Sequence, residues 1–246
     1  MIRIDATDMH YKVLNEKIRT AVAEGETEIV LDNICGQKFI GDGLKGGDVK
    51  IRINGTPGND LAAFMDGPEI CVTCNGQDGI GNTMNAGKVI INGHAGDVIG
   101  YAMRGGKILI RDGVGYRVGI HMKSYGSNIP YIVIGGGAEN FFGEYMAGGI
   151  MVLLGLNKKD GEPITGDYVG TGMHGGVIYV RGDVEDHLLG REVKKTELDA
   201  HDVAKLGKLV GEYCTAFGAD YDEIMKKPFV KLTPKSHRPY GNMYAH

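Results

Sequence analysis

Cysteine is scarce in these 246 residues. Cys35, Cys71, Cys74 and Cys214 are scattered and give no disulfide framework, so free thiols are expected and packing must hold the chain together. Long apolar runs are missing too: none approaches the roughly 20 residues that a membrane-spanning helix needs. The amino terminus has neither the basic segment nor the apolar segment of a secretory signal, which points to a cytoplasmic protein. With a net charge of −4 and a pI near 6.1 there is no global basic field to draw nucleic acid or an anionic membrane. No Walker A sequence occurs.

Glycine, by contrast, is abundant at 41 residues, more than twice the usual share of about 7%. It recurs in a repeated phrase. Met84-Asn-Ala-Gly-Lys-Val-Ile-Ile returns as Met103-Arg-Gly-Gly-Lys-Ile-Leu-Ile, and variants begin at Leu44, Met146 and Met173. Taking the anchors as Thr27, Gly47, Pro68, Gly87, Gly106, Pro130, Gly149 and Gly176, the gaps are 20, 21, 19, 19, 24, 19 and 27 residues. The second and fourth residues after each anchor are apolar, the period of a strand with one buried face. Three residues before most anchors stands a methionine or leucine. Stacked coils produce such files, because equivalent residues of successive turns lie about 4.8 Å apart. The expected fold is an all-β solenoid, a parallel β-helix of about eight coils.

Both ends differ in composition. Leu14, Ile18, Ala21 and Val22 recur at helical spacing after an N-cap at Asp8, forming a lid over the first coil within residues 1–26. The coils occupy 27–185. In 186–246, a capping box at Thr196 and Asp199 opens a helix whose apolar face is Val203, Leu206, Val210, Tyr213 and Phe217. A short helix at 221–227 follows, then an extended arm from Pro228 carrying Phe229, Tyr240 and Tyr244. Two longer corners, 112–130 and 157–171, are the expected contact loops.

No residue is assigned a catalytic, cofactor-binding or metal-binding role. Cys71 and Cys74 have the spacing of a redox or zinc pair, but a strand separates their directions and packing is the plainer reading. His94, His121 and His174 stand at different offsets from their anchors, so they form no metal triad. Asp97 and Asp112 do not align as the paired acids of a polysaccharide-cleaving β-helix would. Gly135-Gly-Gly137 leads to another strand and not to a phosphate-binding helix. Arg104, Arg111, Arg117, His121 and Lys123 read either as a solvated flank or as a docking surface for an acidic partner or a bound anion.

With Met-Arg-Gly-Gly-Lys at 103–107, Gly-Tyr-Arg-Val-Gly-Ile-His-Met-Lys at 115–123, Gly-Glu-Tyr-Met-Ala-Gly-Gly at 143–149 and Gly-Thr-Gly-Met-His-Gly-Gly-Val-Ile-Tyr-Val at 170–180, the chain resembles the GXGXG domain. That domain closes the large subunit of glutamate synthase, and in archaeal-type enzymes it is a separate polypeptide. The resemblance implies a right-handed β-helix that is scaffold and not catalyst, part of an oxidoreductase complex of nitrogen metabolism that forms glutamate from glutamine and 2-oxoglutarate. Its partners would be a glutaminase (amidotransferase) chain and a synthase chain bearing FMN and an iron–sulfur cluster. The sequence fits that division: it begins Met1-Ile2 without a nucleophilic cysteine, and it has no three-cysteine run for a cluster. The docking surfaces are then expected at 115–123 and on the arm, and a homo-oligomer stays open. A related domain in the C subunit of formylmethanofuran dehydrogenase is the alternative, with a carbohydrate-active β-helix behind it.

Overall fold

The computed structural model describes residues 1–159 and 161–237. Its centre is a run of parallel strands that pair in chain order: β1 Ile2–Asp5, β2 Glu28–Cys35, β3 Lys50–Thr56, β4 Asp66–Val72, β5 Ala86–Ile91, β6 Lys107–Ile110, β7 Tyr131–Ile134, β8 Ala147–Leu153 and β9 Gly175–Arg181. Registration places like on like. Ile29, Ile51, Ile70, Val89, Ile108, Ile132, Met151 and Ile178 form one inward file. Two residues on, a second file runs from Leu31 to Val180, and every member of both is 2% exposed or less.

The apolar residue that precedes the anchors makes a third buried file: Leu44, Met65, Met84, Met103, Met122, Met146 and Met173. Its methyl groups explain several anchor glycines. A Cβ at Gly106 would meet Met84 Cε at 2.6 Å, and one at Gly176 would meet Met146 Cε at 2.6 Å.

Between the strands the chain turns through five-residue arcs at 39–43, 60–64, 79–83, 98–102, 117–121, 141–145 and 168–172. In each arc the first, third and fifth residues have positive φ, for instance Val98 (52°), Gly100 (68°) and Ala102 (49°). Arc stacks on arc through hydrogen bonds that alternate in direction. The amide of Val98 donates forward to Tyr116 O, and that of Gly100 donates back to Ile80 O. Six forward steps of this kind link the seven arcs, from Phe39 to Asn59 through Phe141 to Asp167. The solenoid therefore has about six turns, not the eight coils expected from the anchors. Anchors tally strands, and a turn is complete only where an arc is stacked as well.

The ends also depart from expectation. Strand β1 precedes the lid helix α1, Tyr11–Ala23, and pairs with β2. Asp8 lies in a left-handed turn (φ 53°), so the N-cap falls to His10, whose ring nitrogen accepts from Lys12 N. Leu14, Ile18 and Ala21 close the core, while Asn15 Nδ2 donates to Lys38 O and Arg19 Nη2 to Asp42 O. The helix thus satisfies carbonyls of the first arc that no earlier coil can reach. At the other end the presumed arm begins as β11, Phe229–Pro234, antiparallel to β9 and bordered by β10, Val193–Thr196. Tyr240 and Tyr244 lie outside the described residues.

Helix α2, Ala200–Phe217, is capped at Asp199, not Thr196, by a reciprocal box with Asp202. It lies on the outer face of the later strands, where Leu206, Leu209, Val210, Tyr213 and Cys214 pack on Leu109, Val133, Val152 and Tyr179. Val203, expected on that face, is 51% exposed. Helix α3, Tyr221–Met225, adds Ile224 to the same cluster.

Candidate interaction face

The three positive-φ positions of an arc are not equivalent. Middle residues are buried glycines at 41, 81, 100, 119, 143 and 170, with Ala62 the exception. A Cβ at Gly119 would stand 2.1 Å from Met151 Sδ, and one at Gly100 would stand 2.5 Å from Ile132 Cδ1. Space and backbone together demand glycine there.

The first and fifth positions turn outward, and eleven of them carry side chains: Phe39, Asp60, Val98, Arg117, Phe141 and Tyr168 in one file, Phe64, Thr83, Ala102, His121 and Tyr145 in the other. A left-handed conformation costs a non-glycine residue about 1–2 kcal/mol. Gly43, Gly79 and Gly172 show that glycine serves equally at these positions. Except at buried Thr83, the strain is carried by residues that keep part of their surface exposed.

Those outward side chains form ladders. Arg117 lies over the Phe141 ring at 4.9 Å, and Phe141 stacks on Tyr168 at 5.0 Å and 12°. In the neighbouring file His121 stacks on Tyr145 at 5.3 Å and 11° and meets Tyr101 edge-on at 5.9 Å. Tyr145 in turn covers Gly172, where a Cβ would fall 2.2 Å from its ring. Beneath the ladder Glu144 is 6% exposed; its Oε2 lies 3.4 Å from Arg117 Nη1 and makes no hydrogen bond. Phe64, Tyr101, Tyr116, Tyr145 and Tyr168 remain 39–54% exposed.

Of the basic cluster, Arg117 and His121 lie on this face, and Arg104 and Lys123 are exposed two residues past the ends of their arcs. Arg117 and His121 belong to one regular arc. Arg104 and Lys123 follow successive methionines, Lys123 N donating to Met103 O. They were expected on an inserted loop, but the insertion is smaller: five extra residues between Met122 and Pro130, closed by a Tyr125–Asn128 bridge. Arg111 is elsewhere. It pairs with Asp112 at 2.9 Å, and its carbonyl accepts from Tyr213 Oη under α2.

The remaining candidates do not converge. Cys71 is half-buried on the outer face of β4, where Asn92 Nδ2 reaches its Sγ at 3.6 Å, and Cys74 is exposed beyond the strand end. His94 is exposed on a corner, and His174 turns its ring to Gly172 O. Among the described residues no three His, Cys, Asp or Glu side chains are grouped to hold a metal ion, and no helix is long and apolar enough to cross a membrane. The files of positive-φ residues escaped sequence reading because only nine of the 21 are glycine; the signal was a five-residue frame ending just before each methionine.

That frame is a G-x-G-x-G pattern of backbone conformation. The family model for the GXGXG motif matches residues 7–235. The chain belongs to the GXGXG family. An uncharacterized protein of Methanocaldococcus jannaschii is 44% identical over 249 residues, covering 98% of this chain and 95% of the relative. Among solved structures, a chain of the formyltransferase/hydrolase complex from Methylorubrum extorquens, determined with methylofuran, aligns with a TM-score of 0.64 and 20% identity over 92% of this chain and 89% of that one. At that identity the likeness is one of fold.

Proposed function

We propose that this GXGXG chain is a structural subunit of a multisubunit enzyme, a rigid spacer that holds catalytic partner chains in register. The observation that carries this reading is the fold match to a chain of a formyltransferase/hydrolase complex, which takes in nearly the whole of both molecules. An assembly of formyl-transfer type, with this chain in the place of the C subunit of formylmethanofuran dehydrogenase, is the reading we favour. Stacked coils suit the role: a rod about 30 Å long, at about 4.8 Å per layer, fixes the distance between two bodies better than any loop.

Glutamate synthase is the second reading, favoured by the ordered motifs at 103–107, 115–123, 143–149 and 170–180. There the chain would keep a glutaminase and an FMN- and iron–sulfur-bearing synthase in contact so that ammonia passes between them. Purifying the tagged full chain from its native cells and identifying the accompanying proteins and cofactors separates the two. Formyltransferase or hydrolase subunits with tungsten or molybdenum support the first, and a glutaminase with flavin and iron–sulfur clusters supports the second. A chain that elutes alone from every extract overturns the scaffold.

A further inference from the structure

We infer that the outward face of the arcs, from Phe64 to Tyr168, is where a partner protein with an acidic surface docks. This rests on the scaffold reading and adds to it the face and the chemistry of the partner. Side chains are held in left-handed conformations at positions where sister coils use glycine, and all but Thr83 keep part of their surface exposed. The stacks on this face, worth about 0.5–1.5 kcal/mol each, offset only part of a strain of about 1–2 kcal/mol per residue, so the rest of its return lies outside the chain.

The residues so placed are those that dominate protein–protein contacts, aromatic rings and arginine. Their geometry is set beforehand. Arg117 is fixed between the Phe141 ring and the buried Glu144 carboxylate, and His121 between Tyr101 and Tyr145. Rings already stacked lose little freedom on binding. Charge selects the partner: Arg104 and Lys123 are exposed, with no acidic group paired to either among the described residues. Carboxylates on the opposing surface would complete them.

Glycine supplies the test, because it relieves the backbone while removing the side chain. One variant combines Phe64→Gly, Tyr145→Gly and Tyr168→Gly; a second combines Arg104→Glu and Lys123→Glu. Each full-length variant is compared with the wild type for melting temperature, for affinity to the partner identified with the wild type, and for salt dependence. The glycine variant is expected to melt within a few degrees of wild type and to bind at least tenfold more weakly. The charge variant should lose a similar factor, with the wild-type dependence on salt flattened. Partners retained at unchanged affinity by both variants overturn the docking face and leave the scaffold reading standing. A wild type without partners overturns both. Release of a self-associated wild type to monomers by the glycine variant assigns the face to a second copy of the chain and overturns the acidic partner, as would nucleic acid found on the wild-type face.

Discussion

The hydroxyl of Tyr179, on the last parallel strand, donates to the carboxylate of Asp202 in the first turn of α2. Lys231 of β11 donates to the other oxygen of that carboxylate. One side chain thus ties together the end of the solenoid, the helix on its flank and the strand that closes its sheet. Asp202 is 4% exposed, and the Lys231 side chain paired with it is 19% exposed. Asp202→Ala is expected to cost about 3–5 kcal/mol by stranding the Lys231 ammonium. In thermal melts that is a fall of roughly 6–20 °C, at about 2–4 °C per kcal/mol for a chain of this size. Tyr179→Phe leaves the ion pair in place and should cost less, about 1.5–3 kcal/mol.

The same group predicts acid behaviour. Burial alone would raise the Asp202 pKa, but hydrogen bonds from Lys231, Tyr179 and the Asp199 amide outweigh it and hold the value at about 2, below the usual 3.8. A depressed folded-state pKa means stability that is fully present above pH 4 and is lost as pH falls through 2. The shift corresponds to roughly 2–3 kcal/mol. Denaturant titrations at pH 5 and pH 2 should show this loss in the wild type and a smaller one in Asp202→Asn.

An inner glycine of one arc and an outer valine of the arc before it should respond in opposite ways to changes at glycine. Gly119→Ala adds a Cβ 2.1 Å from Met151 Sδ at a φ of 75°, so strain of about 1–2 kcal/mol joins overpacking of about 1–3 kcal/mol. Val98→Gly, at an outer and half-buried position of the preceding arc, removes a β-branched residue from φ 52°. Its stability should hold or rise slightly. Chemical denaturation of the two variants decides whether conformation or packing sets the requirement at each site.

How much of this was legible depends on which force wrote the pattern. Burial repeats faithfully, so the inward files from Ile29 to Ile178 and the methionines could be read from spacing alone. Met122 escaped only because the Tyr125 insertion moves its anchor five residues on. Left-handed backbone leaves a weaker trace, since Arg117, His121 and Tyr145 adopt it without glycine to announce it. The place of α2 was also on the page: Leu109, Val133, Val152 and Tyr179 are apolar at the outward strand positions of the later coils, where Arg52 and Cys71 stand earlier. A two-faced strand needs a second covering layer. The arc face was half legible, because charge is visible in sequence and the stacking beside it is not.

The methionine file carries its own measurement. Met103 is fully buried, and a Cβ at Gly100 would lie 3.7 Å from its Sδ. Met103→Ala should therefore leave a cavity and cost about 2–5 kcal/mol. Met103→Leu, nearly the same volume, should cost less than about 1.5 kcal/mol. Equal losses in both would mean that the sulfur, not the volume, matters at this position.

Thiol labelling reports whether α2 stays down. All four cysteines are free, but their settings differ: Cys35 and Cys74 are exposed, whereas Cys214 is 9% exposed under α2. Burial, and then the nearby Asp220 carboxylate, push the Cys214 thiol above its ordinary pKa, so it is short of thiolate as well as access. A thiol reagent at pH 8 should modify Cys35 and Cys74 rapidly, Cys71 more slowly and Cys214 only as the helix lifts. In Asp202→Ala the Cys214 rate should climb while the Cys35 and Cys74 rates stay as they were, because the lost tie belongs to the helix and not to the coils. Peptide mapping of the modified chain measures all four together. A Cys214 rate that matches Cys74 in the wild type would show that α2 is already loose, and a Cys214 rate unmoved by the substitution would show that the Tyr179–Asp202–Lys231 tie does not hold it.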